Sequence, residues 1–270
     1  MVYNIVMAPI IFQVDAFTST PFSGNPAVVC LLNEPRDDRW LQYVAREMNV
    51  PATAFLRWQK GGFDLRWFTP TVEIDLCGHA TLASAHIMWE LEYLRPDEKA
   101  NFYTLSGPLV AEHREDLIEL NFPAQPIEAA EVPDHLVEAL SIPMNYVGRS
   151  SRKVYLVETD SEETLRAMKP DLSILLQVSI RSVIVTSRSS TPGYDFVSRY
   201  FAPGVGTAED AVTGSAHCAL GPYWSKRLGR TSFVAYQASA RGGEIHVRVE
   251  GERVYLGGRA VTVSRGELLA

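Results

Sequence analysis

Two stretches of this chain repeat one pattern about half its length apart. RWFTP at residues 66–70 leads into DLCGHATLA at 75–83, and RYFAP at 199–203 leads into DAVTGSAH at 210–217. Each reads as a strand, a proline turn, an acidic residue and a glycine that opens an apolar, alanine-rich helix. The first elements lie 133 residues apart and the two helix-opening glycines 136 apart. The pattern predicts a chain built from two related halves.

A third landmark keeps the same offset. Ser106-Gly107 corresponds to Ser239-Ala240, and paired strands follow each of them. Chance similarity of two strand–turn–helix units is the alternative, but three landmarks in register favour duplication. Two related halves should present two helix N-termini, related by an approximate twofold axis, to one cleft. Because helix N-termini carry amide donors and partial positive charge, we expect that cleft to hold an anion.

Composition limits the classes of function. With 46% hydrophobic and 21% charged residues, the chain resembles a globular protein in solution. A net charge of −7 and scattered basic residues disfavour nucleic acid or an anionic membrane as a partner. No apolar run approaches the ~20 residues that span a bilayer, and residues 1–11 lack the features of a signal peptide. Three widely spaced cysteines do not indicate a disulfide framework, so we predict a cytoplasmic location.

The order of the segments predicts an α+β fold with two similar lobes. We expect an N-terminal lobe at residues 1–123 and a C-terminal lobe at 124–258. The segment Pro123–Pro126 is a plausible crossover between them. The final segment, 259–270, could return to the N-terminal lobe. The predicted site lies in the cleft between the lobes.

Common cofactor and metal signatures are absent from the sequence. It contains no dinucleotide fingerprint, no phosphate-binding P-loop, no H-E-x-x-H and no C-x-x-C. A metal held between His79 and His217 is disfavoured, because carboxylate and thiol partners at ligand spacing are missing. Ser215 does not lie in the G-x-S-x-G elbow of a serine hydrolase. We therefore expect a site without a cofactor or a metal.

The residues left for chemistry lie at the two helix starts. Asp210, Ser215 and His79, together with backbone amides, could transfer protons as general acids or bases. The alternative for Asp210 is a simple N-cap of its helix, and for His79 a satisfied histidine at a helix start. Their placement at equivalent points of two halves favours the catalytic interpretation.

Four motifs in order resemble those of the PhzF-like family of phenazine-biosynthesis isomerases. They are QVDAF at 13–17, FSGNPA at 22–27, DLCGHAT at 75–81 and EDAVTGSA at 209–216. Their order and spacing match over essentially the whole chain. The resemblance implies a diaminopimelate-epimerase-like fold, in which each lobe wraps a mixed sheet around a central helix. It also implies cofactor-independent proton transfer on a small molecule with a carboxylate, and a homodimer.

The resemblance also assigns roles to residues of this chain. It implies that His79, Asp210 and Ser215 are catalytic. The amides of Gly78 and Gly214 would hold the substrate's carboxylate, and Asn25 and Thr213 complete the predicted substrate-binding set.

One position breaks the family pattern. The family usually reads Asn-x-Ser-Glu-Thr-x-Phe, with the Glu as its principal acid/base, whereas this chain reads NVPATAF at 49–55. Ala52 therefore stands where the Glu belongs, and a methyl group cannot carry a proton. Glu73 and Asp75 are more plausible as structural salt bridges or caps than as substitutes. Cys77 is a candidate thiol, but a thiol racemase needs a second thiol across the cleft.

Three functions remain open. The leading one is a biosynthetic isomerase or cyclase of a small carboxylate-bearing metabolite, which works with one base (Asp210 with His79) or by holding a reactive conformer. The second is a catalytically silent member that binds a small molecule or a protein partner. The third, weaker hypothesis is a thiol-dependent epimerase that uses Cys77.

Overall fold

The computed structural model describes residues 8–269, and the chain divides into two compact units. Unit 1 contains the chain up to Leu120 together with the segment from Gly258 onward, and unit 2 is Asn121–Gly257. Each unit contains a mixed β-sheet and helices, as the predicted α+β class requires. Within residues 8–269, no helix combines the length and the apolar character that crossing a bilayer would need.

Unit 1 is built around one mixed sheet. Its elements are β1 (Ile10–Ala16), β2 (Asn25–Leu32), α1 (Asp38–Met48), β3 (Ala52–Gln59), β4 (Gly62–Phe68), β5 (Glu73–Ile74), α2 (Gly78–Glu90), β6 (Ala100–Thr104), β7 (Gly107–Arg114) and β8 (Leu117–Pro123). β2 and β3 pair in parallel, as do β4 and β6. The pairs β1–β2, β3–β4, β4–β5, β6–β7 and β7–β8 are antiparallel.

Unit 2 repeats this topology. Its elements are β9 (Glu128–Ala129), α3 (Leu136–Leu140), β10 (Tyr146–Arg149), β11 (Val154–Glu158), α4 (Glu162–Ala167), α5 (Leu172–Leu175), β12 (Ser182–Arg188), β13 (Phe196–Ala202), a 3-10 turn (Pro203–Val205), β14 (Thr207–Asp210), α6 (Gly214–Leu228), β15 (Ser232–Gln237), β16 (Gly243–Glu250) and β17 (Arg253–Gly258). β11 and β12 are parallel, as are β13 and β15. The pairs β10–β11, β12–β13, β13–β14, β15–β16 and β16–β17 are antiparallel.

The last strand of the chain completes the first sheet. β18 (Ala260–Glu267) follows unit 2 in the sequence, yet it pairs antiparallel with β1 of unit 1. β9 has the corresponding place in unit 2, where it pairs antiparallel with β10. The two sheets therefore share the same series of parallel and antiparallel pairings, and each ends on a strand that comes from just after the other repeat.

Each unit has one helix buried on nearly all sides. Most side chains from His79 to Met88 of α2 are buried, and α6 is buried from Ala216 to Leu220. A helix that is apolar and buried all round belongs to a core rather than to a surface. α2 and α6 are thus the central helices that the predicted fold requires.

Pro222 lies inside α6 without leaving a backbone acceptor unpaired. A proline has no amide hydrogen, so it cannot donate to the carbonyl four residues earlier. That carbonyl, of Cys218, instead accepts a hydrogen bond from the amide of Gln125 at 2.9 Å. The helix then ends at Gly229, which adopts a left-handed conformation (φ 67°) and donates to the carbonyl of Ser225.

A second helical layer covers the other face of each sheet. In unit 1, α1 packs on the sheet through a buried cluster of Cys30, Leu41, Val44, Ala45, Phe55 and Phe68. In unit 2, α3 to α5 form a larger apolar cluster with β11, β12 and β13. The central strands, β2 to β4 in unit 1 and β11 to β13 in unit 2, are therefore buried along most of their length.

Candidate active site

The strand that leads to each central helix carries the same ion pair. In unit 1, Arg66 donates from Nε and Nη2 to the two carboxylate oxygens of Glu73, at 2.7 and 2.8 Å. In unit 2, Arg199 makes the same two bonds to Glu209, at 2.7 and 2.9 Å. Such bidentate pairs fix geometry as well as charge. Glu73 therefore has the structural role that the sequence predicts for it.

A serine holds the turn before each helix. The Ser106 hydroxyl donates to the carbonyl of Asp75 at 2.7 Å, and the Ser239 hydroxyl donates to the carbonyl of Ala211, also at 2.7 Å. The two serines are the third landmark of the sequence repeat. The duplicated sequence thus builds duplicated turns at the two helix starts.

Both central helices begin without a side-chain cap. The N-cap residues are Cys77 for α2 and Thr213 for α6, and neither side chain accepts a hydrogen bond from a backbone amide of the first turn. A helix start of this kind offers its amides and its dipole to an anion. Thr213 occupies the N-cap position of α6. Asp210 is therefore not the N-cap of this helix, which was the structural alternative to a catalytic role.

The carbonyl of each N-cap residue is held from within its own helix. The Thr81 hydroxyl donates to the carbonyl of Cys77 at 2.6 Å, and His217 Nδ1 donates to the carbonyl of Thr213 at 2.8 Å. The two repeats thus use different side chains to donate a hydrogen bond to the N-cap carbonyl.

In unit 1, a thiol and an imidazole lie together at the start of α2. Both Cys77 and His79 are buried, and Cys77 Sγ lies 3.5 Å from His79 Nδ1. Asn25 opens β2 and Ala52 opens β3, and both are fully buried. Because β2 and β3 are parallel, with Ala52 beside Ala27, the first residues of the two strands lie at the same end of the sheet.

In unit 2, a hydrogen-bonded network surrounds the start of α6. The Thr213 hydroxyl donates to Asp210 Oδ2 at 2.6 Å. The Thr213 amide donates to Oε1 of Gln237 at 2.8 Å, and Gln237 is fully buried. Tyr200 pairs with Asp210 across β13 and β14. Burial raises the pKa of the Tyr200 phenol, and the negative charge of Asp210 acts in the same direction.

The predicted site residues thus fall into two groups. Asn25, Ala52, Gly78 and His79 lie in unit 1, and Asp210, Thr213, Gly214 and Ser215 lie in unit 2. The structure joins Asp210 to Thr213 directly and places Ser215, which is exposed, in the first turn of α6. Among residues 8–269, no group of three His, Cys, Asp or Glu side chains is arranged to hold a metal ion.

Gln237 is the member of the network that sequence reasoning missed. It lies at the end of a strand, far from the motif in sequence, and an isolated glutamine carries no chemical signature. The repeat itself does contain a signal, because the two halves differ at this position. The residue 133 positions before Gln237 is Thr104.

His217 is a fully buried histidine directly behind the helix start. A carbonyl can only accept, so the bond to Thr213 places the imidazole hydrogen on Nδ1. Nε2 is buried and has no hydrogen-bond partner among the described residues. Burial lowers the pKa of His217 to about 4. The imidazole is therefore neutral at pH 7 and serves as a fixed donor.

Acid should destabilise the protein through His217. Its pKa is lower in the folded protein, about 4, than the ~6.5 of an unfolded chain. Its neutral form therefore favours folding above pH 6.5, and this contribution is lost as the pH falls from about 6.5 to about 4, at a total of about 3 kcal/mol. Between pH 7 and pH 4.5, the free energy of unfolding measured with denaturant should fall less for His217→Gln than for wild type. A substitution of the exposed His135, His135→Gln, should keep the wild-type pH dependence; equal losses for wild type and His217→Gln would contradict the prediction.

Comparisons of the sequence and of the fold with known proteins point to the same family. Residues 14–266 match the family model described as phenazine biosynthesis-like protein (PhzC-PhzF). The chain is 52% identical to an uncharacterized isomerase of Halalkalibacterium halodurans, over 98% of this chain and 100% of that protein. A PhzF family crystal structure from Enterococcus faecalis superposes with a TM-score of 0.93 at 37% identity, over 98% of this chain and 100% of the other. A probable proline racemase from Agrobacterium radiobacter, 10% identical with a TM-score of 0.67, over 96% of this chain and 92% of the other, shares the fold.

Proposed function

This chain belongs to the phenazine biosynthesis-like (PhzC-PhzF) family, and from that premise we propose that it is a cofactor-independent isomerase or cyclase of a small carboxylate-bearing metabolite in a biosynthetic reaction. One observation carries the proposal. Asp210 is hydrogen-bonded to the N-cap residue of a central helix, and the side chain of that N-cap accepts no bond from the first turn. A group that can exchange a proton and a place that can hold an anion are thus built into the same turn.

The duplicated helix starts supply the binding half of this chemistry. We assign the amides of Gly78 and Gly214 to the substrate's carboxylate, with Ser215, Thr213 and Asn25 as further polar contacts. Both helix starts are fixed by the paired ion pairs and serines of the two repeats. Donors that are held in place before the substrate arrives cost little reorganisation during the reaction.

Ala52 determines which kind of proton transfer is proposed. Its methyl group is fully buried, so it offers nothing that could carry a proton. Racemisation by two bases needs donors on opposite faces of one carbon, which this position does not supply. A one-base shift needs only one group. Asp210 removes a proton from the first carbon of a C–C=C unit, the double bond moves to join the first and second carbons, and the same proton forms a new C–H bond at the third carbon on the same face. His79 is assigned the role of orienting the substrate.

A second function is favoured by the same alanine. A family member without its usual acid/base residue could bind a small molecule or a protein partner without converting it. The two functions differ in one observable, because only the enzyme changes the chemical identity of what it binds.

Incubation with a small-molecule extract of bacterial cells in D2O should separate the two functions. We expect wild type to deplete one carboxylate metabolite and to form an isomer that separates from it by chromatography. The product should have the same mass or carry one deuterium, since a single base returns its proton or exchanges it first. Asp210→Asn serves as the control. If the extract incubated with wild type is identical to one incubated without protein, the binding function replaces the isomerase.

A further inference from the structure

We propose that Gln237 is a positioning residue for Asp210, and that it orders the Thr213 hydroxyl so that this hydroxyl fixes the carboxylate for proton transfer. The inference rests on the proposed function of Asp210. Gln237 is fully buried at the end of β15, and the partners of its side-chain amide among residues 8–269 all lie in the turn that carries Asp210 and Thr213.

The orientation of the Gln237 amide follows from its partners. The backbone N–H of Thr213 can only donate, so the side-chain atom 2.8 Å from it must be the oxygen, Oε1. The backbone carbonyl of Asp210 can only accept, so the atom 2.8 Å from it must be the nitrogen, Nε2. Two partners of opposite character therefore fix the amide in one orientation.

This orientation also determines where the Thr213 hydroxyl sends its hydrogen. Nε2 of Gln237 has two hydrogens: one goes to the Asp210 carbonyl and the second points to Thr213 Oγ1 at 3.1 Å. The hydroxyl thus accepts from Gln237, and its single hydrogen is left for Asp210 Oδ2 at 2.6 Å. Gln237 thereby directs the hydrogen of the Thr213 hydroxyl to the carboxylate of Asp210.

The other repeat lacks this device. β6 corresponds to β15, because Phe63 pairs with Phe102 as Phe196 pairs with Ala235. Thr104 ends β6 where Gln237 ends β15, and its hydroxyl donates to Gly107 at 2.6 Å rather than to the helix start. Structural support of a central helix is common to both repeats, whereas the glutamine is present only in the repeat that carries Asp210. The difference points to a task specific to that carboxylate.

Carbon-13 labelling of the aspartate carboxyl groups tests this role without a substrate. The Asp210 signal, identified by its loss in Asp210→Asn, should move in Gln237→Met and in Thr213→Val, since each removes the ordered donor. The double variant should place the signal where Thr213→Val alone places it, because Gln237 acts through that hydroxyl. Thr213→Ser keeps the hydroxyl and should restore the wild-type position. Thr104→Val, the matched control from unit 1, should leave the signal unmoved.

Turnover of the metabolite that wild type converts gives the second readout. Gln237→Met should lower kcat about 10-fold with KM within about 2-fold, a smaller loss than the ~100-fold that a catalytic group misplaced by ~1 Å can cost. The double variant with Thr213→Val should lose no more than Thr213→Val alone. If circular dichroism shows that Gln237→Met does not fold, Gln237→Glu replaces it, because it keeps the acceptor for the Thr213 amide.

The outcomes separate this role from the proposed function. An Asp210 signal that stays in place in the folded Gln237 variant, or displacements that add in the double variant, would overturn the positioning role alone. If Asp210→Asn converts the metabolite as fast as wild type does, the proposed function of Asp210 as the base is overturned instead, whatever the spectra show.

Discussion

Asp210→Asn should lower turnover by at least about 100-fold, the usual scale of a general acid or base. The substitution changes little else. An asparagine has nearly the same shape, and its side-chain oxygen can still accept the hydrogen bond from the Thr213 hydroxyl. What it cannot do is take up and release a proton at neutral pH. Initial rates at saturating metabolite, with thermal unfolding checked in parallel, measure the loss.

An aspartate shortly before the other central helix supplies the control for this experiment. Asp75 precedes α2 in the other repeat, and its side chain is exposed, so Asp75→Asn should retain wild-type turnover. His79→Ala should lose less than Asp210→Asn if the imidazole orients the substrate. Turnover of Asp210→Asn within a few-fold of wild type would leave Asp210 with a structural role only.

Ala52→Glu should damage the protein rather than restore a family activity. Ala52 is fully buried at the start of β3, beside Ala27 of β2. A buried carboxylate without a partner costs several kcal/mol or takes up a proton, and its side chain needs space that a methyl group does not. We expect a loss of about 3 kcal/mol in the free energy of unfolding, together with lower turnover. Denaturant unfolding and the metabolite assay measure the two effects.

The amide variant Ala52→Gln separates charge from volume. It has the size of the glutamate without its ionisable group, so a smaller loss of stability than in Ala52→Glu would assign the difference to the carboxylate. Higher turnover in Ala52→Glu than in wild type, at equal thermal stability, would contradict the one-base proposal. It would identify this chain as an isomerase that has lost its principal base.

The fold was predictable because its determinants are local and repeated. The proline turns, the glycines at positions 78 and 214 and the serines at 106 and 239 each specify a turn or a helix start within a few residues. The structure uses them as expected, down to the equivalent bonds of the two serines. Two similar lobes with central helices therefore follow from the sequence.

The features that the sequence leaves open or hides depend on residues far apart in the chain. The sequence allows the final segment, 259–270, to return to the N-terminal lobe but does not decide it, because its place depends on the pairing of β18 with β1 across the length of the chain. In the same way, nothing local marks Gln237 as the partner of a turn 24 residues earlier in the chain. The motif residues of the candidate site could thus be read from the sequence, but the network that joins Gln237 to Asp210 and Thr213 could not.

The placement of β18 has a consequence for how the protein is made. A ribosome releases the chain from its N-terminus at roughly 5–20 residues per second, so β1 emerges long before its partner strand, which ends at Glu267. Synthesis of the intervening unit takes on the order of 10 s at these speeds. During that interval unit 1 has an unpaired strand edge of the kind that recruits other chains. The half of the protein that is synthesised first is therefore the half that is finished last, and the nascent chain depends on the prompt completion of unit 2 to close its own first sheet.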